Sequence, residues 1–137
     1  MKNYTSRMPV EESVTKIIKE LAGIGAIPYG QWKQSNYIIC SVQTEKGKGC
    51  FKFAPDVTAV YNMLSGSEAK RKAQAEITAW RSLFDFIEIQ CDRIQRKQST
   101  VLGAFMEYIY YPGQGVTLMQ RLQQPANQQM ASKLLTG

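Results

Sequence analysis

The sequence places lysines and aromatic residues near one another at several points, and these residues are the best candidates for a binding site. Lysine ammonium groups neutralise phosphates, and aromatic rings stack on unpaired bases. The residues that could combine these functions are Lys33, Tyr37, Lys46, Lys48, Lys52, Lys70, Arg71 and Lys72, with Trp32 as a second aromatic platform. The alternative is that the lysines only keep the surface soluble, while Trp32 and Tyr37 pack in the core.

Residues 46–53, KGKGCFKF, hold the densest part of this cluster. The run partly resembles the basic, glycine-containing and aromatic strand of RNA-recognition modules. Lys48 and Cys50 stand where that motif carries its base-stacking aromatic residues, and the predicted order of elements places a helix before three consecutive strands. We therefore interpret the run as a basic hairpin and strand, with Phe51 and Phe53 in the core.

Acidic residues form a row on a predicted helix, where carboxylates could hold Mg²⁺ for phosphodiester chemistry. The row consists of Asp85, Glu88 and Asp92. Arg81 precedes Asp85 by four residues, and Arg96 follows Asp92 by four. Because side chains four residues apart are neighbours on a helix, the row is typical of a solvated ion-pair face. We expect no metal site.

The chain contains no histidine, which removes the usual general base near neutral pH and the commonest zinc ligand. Its three cysteines, Cys40, Cys50 and Cys91, are widely spaced and form neither a disulfide framework nor a thiolate metal motif. None of its glycine-containing turns has the strand-glycine-helix context of a nucleotide-binding loop. These observations predict a protein without enzymatic activity and without a cofactor.

Seventeen basic residues against eleven acidic ones give the chain a net charge of +6. Such an excess favours encounter with nucleic acid, an acidic protein or an anionic surface. No apolar run approaches the roughly 20 residues that a membrane span needs, and the N-terminus lacks a secretory pattern. We therefore expect a cytoplasmic protein without membrane association.

The order of helical and strand-like patterns along the chain predicts a single α+β domain. Apolar residues at helical spacing indicate a first helix over residues 9–22, which Gly23 would close in the left-handed conformation. Aromatic and β-branched runs then indicate a three-stranded antiparallel meander over residues 26–32, 37–44 and 49–54. The first of these strands should lie at an edge, because it contains a proline.

The two faces of this meander differ in character, because successive side chains along a strand alternate between them. One set would point into the core and consists of Ile38, Cys40, Val42, Phe51 and Phe53. The other set would lie open to solvent or to a ligand and consists of Tyr37, Ser41, Gln43, Cys50 and Lys52. The lysines of the sheet would then gather at its hairpin end.

One long helix dominates the second half of the chain. Residues 55–66 are predicted to form a loop, and the capping-box pattern of Ser65 and Glu68 predicts a helix over residues 67–96. Its apolar stripe should fill the core, and it could instead join two copies of the chain. The stripe consists of Trp80, Leu83, Phe84, Ile87, Cys91 and Ile94. Residues 104–111 belong either to a further helix or to a fourth strand.

The C-terminus is rich in glutamine and has little to bury. Its short apolar patch consists of Met130, Leu134 and Leu135. We expect a single domain over residues 1–122 and a flexible tail over residues 123–137, which could order on a partner.

Three stretches of the chain resemble a group of small, uncharacterised phage and prophage proteins. They are VEESVTKIIKEL near the start, WRSLFDFI at 80–87 and FMEYIYYPGQGVT at 105–117. The resemblance covers about residues 9–122. It implies a mobile-element setting and says nothing about which residues are active. The predicted topology, a meander beside long helices, is similar to that of phage single-strand annealing proteins, and the similarity is one of topology only.

These features together favour a non-enzymatic accessory protein of a phage or mobile element. It would bind nucleic acid, single-stranded DNA above all, through the basic end of the sheet. The alternative is a protein-binding inhibitor or adaptor that acts on a host or replication protein through the C-terminal tail.

Overall fold

The computed structural model describes residues 7–29, 36–111 and 116–117, and it confirms the α+β arrangement in the predicted order. The helices are α1 (Val10–Ala22), α2 (Val57–Met63), α3 (Glu68–Gln95) and α4 (Val101–Phe105), which continues as a 3₁₀ turn over Met106–Tyr108. The strands are β1 (Ile27–Tyr29), β2 (Ile38–Thr44), β3 (Gly47–Phe53), β4 (Tyr110–Tyr111) and β5 (Val116–Thr117). None of the described helices is long and apolar enough to cross a membrane.

α1 begins and ends close to its predicted bounds. Its first turn carries Glu11 and Glu12 near the positive end of the helix dipole. Its apolar stripe is fully buried and consists of Val14, Ile17 and Leu21. The prediction for Gly23 was wrong, because Gly23 keeps a right-handed conformation with a φ of −63°. Gly25 adopts the positive φ of +83° instead, and this lets the chain turn from the helix into the sheet.

β1, β2 and β3 form an antiparallel sheet in that order, so β1 lies at an edge, as predicted. Across β2 and β3, Ile38 pairs with Phe53 and Cys40 pairs with Phe51. These four residues and Val42 are buried. The predicted core face of the meander is therefore confirmed.

The hairpin between β2 and β3 is tighter than predicted, because β3 begins at Gly47 and not at residue 49. The Thr44 hydroxyl donates to the Gly47 carbonyl at 2.6 Å and accepts from the backbone N–H of Lys46 at 3.1 Å. Gly47 has a φ of +112°, which glycine adopts without steric cost. Of the predicted first strand, residues 27–29 form β1, and residues 30–32 lie outside the described ranges.

Residues 104–111 were predicted to form either a further helix or a fourth strand, and both elements occur. The end of α4 and its 3₁₀ turn come first, and the short strand β4 follows. The Thr100 side chain caps α4 by accepting the backbone N–H of Gly103 at 3.0 Å. After the 3₁₀ turn, Ile109 forms an antiparallel bridge with Phe51, and β4 pairs with β5. Because β2 already occupies one side of β3, this bridge places β4 on the other side.

Residues 55–66 are not the predicted loop, because residues 57–63 form α2. Asp56 caps this helix by accepting the backbone N–H of Ala59 at 3.0 Å. Arg71 of α3 also holds it. The Arg71 guanidinium lies 4.2 Å from the ring centre of Tyr61 and donates to the Tyr61 carbonyl at 3.2 Å. No residue of α2 is fully buried. Its half-buried residues Val57, Val60 and Tyr61 recur at helical spacing, but this pattern spans little more than one turn, and no helix was predicted from it.

α3 begins after Ser67, which is its N-cap in place of the predicted Ser65. The Ser67 hydroxyl accepts the backbone N–H of Lys70 at 3.4 Å. The predicted apolar stripe lies in the same core as Phe51 and Phe53. Its buried members are Trp80, Leu83, Phe84, Ile87 and Cys91, with the partly buried Ile94 beside them. A second copy of the chain would therefore find no exposed apolar seam along this stripe.

Trp80→Ala is expected to lower the free energy of unfolding by roughly 3–5 kcal/mol, because it removes a large side chain from the core. Trp80 is 2% exposed, whereas Ile89 on the same helix is 55% exposed. Ile89→Ala is therefore the matched control and should cost about 0.5 kcal/mol or less. Urea unfolding followed by circular dichroism measures both variants. Equal losses from the two substitutions would contradict the assignment of the core.

Burial raises the pKa of the Cys40 and Cys91 thiols from the ordinary value of 9.0 to about 12. In the unfolded chain both thiols ionise near the ordinary value, so a rising pH favours unfolding. The stabilising contribution should be complete below about pH 9 and decline as the pH rises toward 12. Urea midpoints at about pH 8 and about pH 10 test this for the natural chain and for Cys40→Ala/Cys91→Ala. An alkaline loss of stability that is no larger in the natural chain than in the double variant would contradict it.

Candidate nucleic-acid interface

The face of the sheet that points away from the core carries several of the candidate residues. The register of β2 and β3 and the bridge to Ile109 bring its members together. We call it the outer face, and it consists of Tyr37, Ile39, Ser41, Gln43, Lys48, Cys50, Lys52 and Tyr110. All of these side chains are half-buried or exposed. The buried side chains of α1 and α3 belong to the core on the opposite side of the sheet.

Lys52 lies on the outer face between two tyrosine rings. Its ammonium group is 4.4 Å from the ring centre of Tyr37 and 5.5 Å from the ring centre of Tyr110. Both distances are within the roughly 6 Å over which a cation is attracted to the face of an aromatic ring. The three side chains therefore form one cluster, in which a single cation contacts two rings.

The strand register explains why Tyr37 and Lys52 meet. Lys52 pairs with Ile39 across β2 and β3. Tyr37 lies two residues before Ile39, on the same face, and is therefore a diagonal neighbour of Lys52. Sequence reasoning predicted both residues for the site and placed them on the same face, but it did not predict their direct contact.

Sequence reasoning missed Tyr110. This ring reaches Lys52 because the bridge between Phe51 and Ile109 aligns β4 with β3. The strand-forming residues from Tyr108 to Tyr111 were the signal in the sequence, and they supported the alternative of a fourth strand. That signal did not say which strand would be its neighbour, so Tyr110 was not assigned to the face of Lys52.

Positive charge follows β3 from the outer face to the hairpin. Lys48 and Lys46 are exposed, and Glu45 is the one acidic residue between positions 36 and 54. Lys48 and Lys52 point to the same side of β3, about 13 Å apart for four residues of extended chain. A polyanion that approached this strand would meet two ammonium groups along it and a third at the turn.

Residues 70–72, the basic triplet, are not brought to the outer face. Ala54, just after β3, and Ala79 of α3 line the same groove, so the middle of α3 lies beside the end of β3 opposite to the hairpin. The triplet lies about 12 Å further toward the start of α3, at 1.5 Å per residue. Arg71 is in addition held against Tyr61 of α2. The structure therefore divides the predicted site into two separate groups.

Two parts of the prediction lie outside the described residues. Lys33 and Trp32 belong to residues 30–35, and the C-terminal tail spans residues 123–137. Their roles stay predictions.

The acidic row on α3 is an ion-pair face, as predicted. The Arg81 Nε lies 3.3 Å from the Asp85 carboxylate, and the Arg96 Nε lies 3.0 Å from the Asp92 carboxylate. In the part of the chain that the structure describes, no group of three cysteine or carboxylate side chains converges on a point that could hold a metal ion. The outer face, by contrast, offers charge neutralisation and ring stacking.

Comparisons of the chain with protein-family models, with curated proteins and with solved structures found no match. The functional assignment therefore depends on the geometry of the outer face. The resemblance of the sequence to phage proteins stays a prediction.

Ring currents are expected to shift the Hε protons of Lys52 upfield, because its ammonium lies over the rings of Tyr37 and Tyr110. Tyr110→Leu should return these resonances part of the way toward the ordinary lysine position. Lys48 on the same strand is exposed and serves as the internal control. Carbon-resolved NMR of the side chains measures both lysines. A Lys52 resonance that coincides with that of Lys48 would contradict the cluster.

Proposed function

We propose that the protein binds single-stranded nucleic acid, DNA above all, on the outer face of its sheet. The proposal rests on the cluster of Lys52, Tyr37 and Tyr110, in which a lysine cation lies next to two aromatic rings. Lysine ammonium groups bind phosphates, and aromatic rings stack on bases of any sequence. The three side chains can therefore engage both the backbone and the bases of a strand.

The shape of this surface favours single strands over duplexes. Paired bases expose only their edges, which proteins read by inserting a helix or a two-stranded ribbon into a groove. The outer face is instead the surface of a sheet. Its rings could contact only bases whose own faces are exposed, as they are in unpaired strands.

In this role the protein is a non-enzymatic accessory factor. The setting in a phage or another mobile element is part of the proposal, and it rests on the resemblance carried by residues 10–21, 80–87 and 105–117. The protein-binding alternative draws on the tail over residues 123–137, which lies outside the described ranges. The geometry of the described residues therefore supports nucleic acid as the first partner to test.

A fluorescently labelled single strand is expected to bind, and its affinity should fall with salt because binding releases counterions. Two to three phosphate contacts predict a log-log slope of about −1.4 to −2.1. Fluorescence anisotropy over a series of salt concentrations measures this slope. A duplex of the same sequence should bind more weakly. No binding of the single strand at low salt would refute the proposal.

Two matched double variants test where the strand binds. Lys48→Gln/Lys52→Gln removes two charges from the outer face, and Lys70→Gln/Lys72→Gln removes the same charge from the start of α3. The first pair should lose at least about tenfold in affinity at low salt, because it removes charge-assisted contacts to phosphate. The second pair should stay close to the natural chain. Equal losses would mean that overall charge, and not the outer face, decides binding.

A further inference from the structure

The protein's own cation covers both tyrosine rings of the outer face. The Lys52 ammonium lies over the Tyr37 ring at 4.4 Å and over the Tyr110 ring at 5.5 Å. A stacked base uses the π-face of a ring, which is also the part that attracts a cation. On each ring, a base and the Lys52 ammonium therefore compete for the face that the ammonium covers.

We infer that Lys52 is a built-in cap on a two-base stacking site, and that a single strand binds by displacing it. This inference rests on the proposed function and specifies its ligand. The ligand is a segment with two unpaired bases and the phosphate that joins them. Because Tyr37 and Tyr110 both lie beside the same ammonium, the two bases must be neighbours along the strand.

The displaced Lys52 exchanges its contacts with the two rings for a contact with the phosphate between the stacked bases. A polyphosphate without bases can attract the ammonium, but it leaves the uncovered rings in contact with water. A base without a phosphate can stack, but it leaves Lys52 without an anionic partner. The cap therefore favours ligands that supply both groups together, which an unpaired strand does.

Lys52→Gln separates the cap from simple charge attraction. The variant loses a phosphate contact, so it should bind more weakly at low salt, with a slope that is shallower by about 0.7. It also leaves both rings uncovered. At about 1 M salt, where attraction to phosphate is screened, it should bind about two- to fivefold more tightly than the natural chain. The two salt curves should therefore cross.

Lys48→Gln is the matched control, because Lys48 is exposed and lies on the same side of β3. It should weaken binding at low salt and converge with the natural chain at high salt, without crossing. The probe is an oligothymidylate of about eight nucleotides, within the site sizes of single-strand-binding folds. An abasic strand of equal length should bind the natural chain more weakly, and Lys52→Gln should increase that preference. Urea unfolding of both variants verifies that the fold is intact.

The outcomes distinguish the cap from the proposed function. Binding of oligothymidylate with crossing curves for Lys52→Gln supports both. Binding with a Lys52→Gln curve that only parallels the Lys48→Gln curve overturns the cap and leaves the proposed function standing. No binding of oligothymidylate to the natural chain overturns the proposed function, and the cap fails with it.

Discussion

The alternation of side chains along β2 and β3 is the constraint on which the candidate site depends. The pleat of a strand sends successive side chains to opposite faces, and burial decides which set turns inward. Phe51 and Phe53 are almost fully buried, and both rings contact Phe105 edge to face. A slip of one residue would expose these two rings and bury Lys52. The packing of the phenylalanines therefore holds Lys52 on the outer face.

α3 completes this arrangement from the side of the core. Its amphipathic stripe shares one core with the inner face of the sheet. Near its C-terminus, the Gln95 side chain donates to the Gly23 carbonyl at 3.2 Å, where the chain leaves α1 for the sheet. A Cβ at position 23 would come within 2.8 Å of the Gln95 amide nitrogen, so a larger residue would displace this flexible side chain from its contact. α3 thus fixes α1 and the start of the sheet on the core side. The buried residues of these helices lie on the opposite side of the sheet from the outer face.

Much of the fold could be predicted because buried apolar residues recur every three or four positions in a helix and every second position in a strand. This spacing located α1, the apolar stripe of α3 and the inner face of β2 and β3. The same alternation along the strands placed Tyr37 and Lys52 on one face of the sheet. α2 was missed because its apolar residues Val57, Val60 and Tyr61 are only half-buried and span little more than one turn. The helix is held instead by its Asp56 cap and by Arg71. The position of Tyr110 could not be predicted either, since it depends on the bridge between Phe51 and Ile109, which brings β4 beside β3. The long helix also separates residues 70–72 from the hairpin lysines, a distance that charge counts along the sequence do not reveal.

An amide NMR titration of the full chain with an oligothymidylate measures whether the outer face is the binding surface. If strands bind to this face, the largest shifts fall on Tyr37, Ser41, Lys48, Lys52 and Tyr110. Amides in the first two turns of α3 should move little, because the basic triplet lies away from this face. Shifts at residues 70–72, with no change on the outer face of the sheet, would show that the strand binds at the start of α3 and not on the outer face.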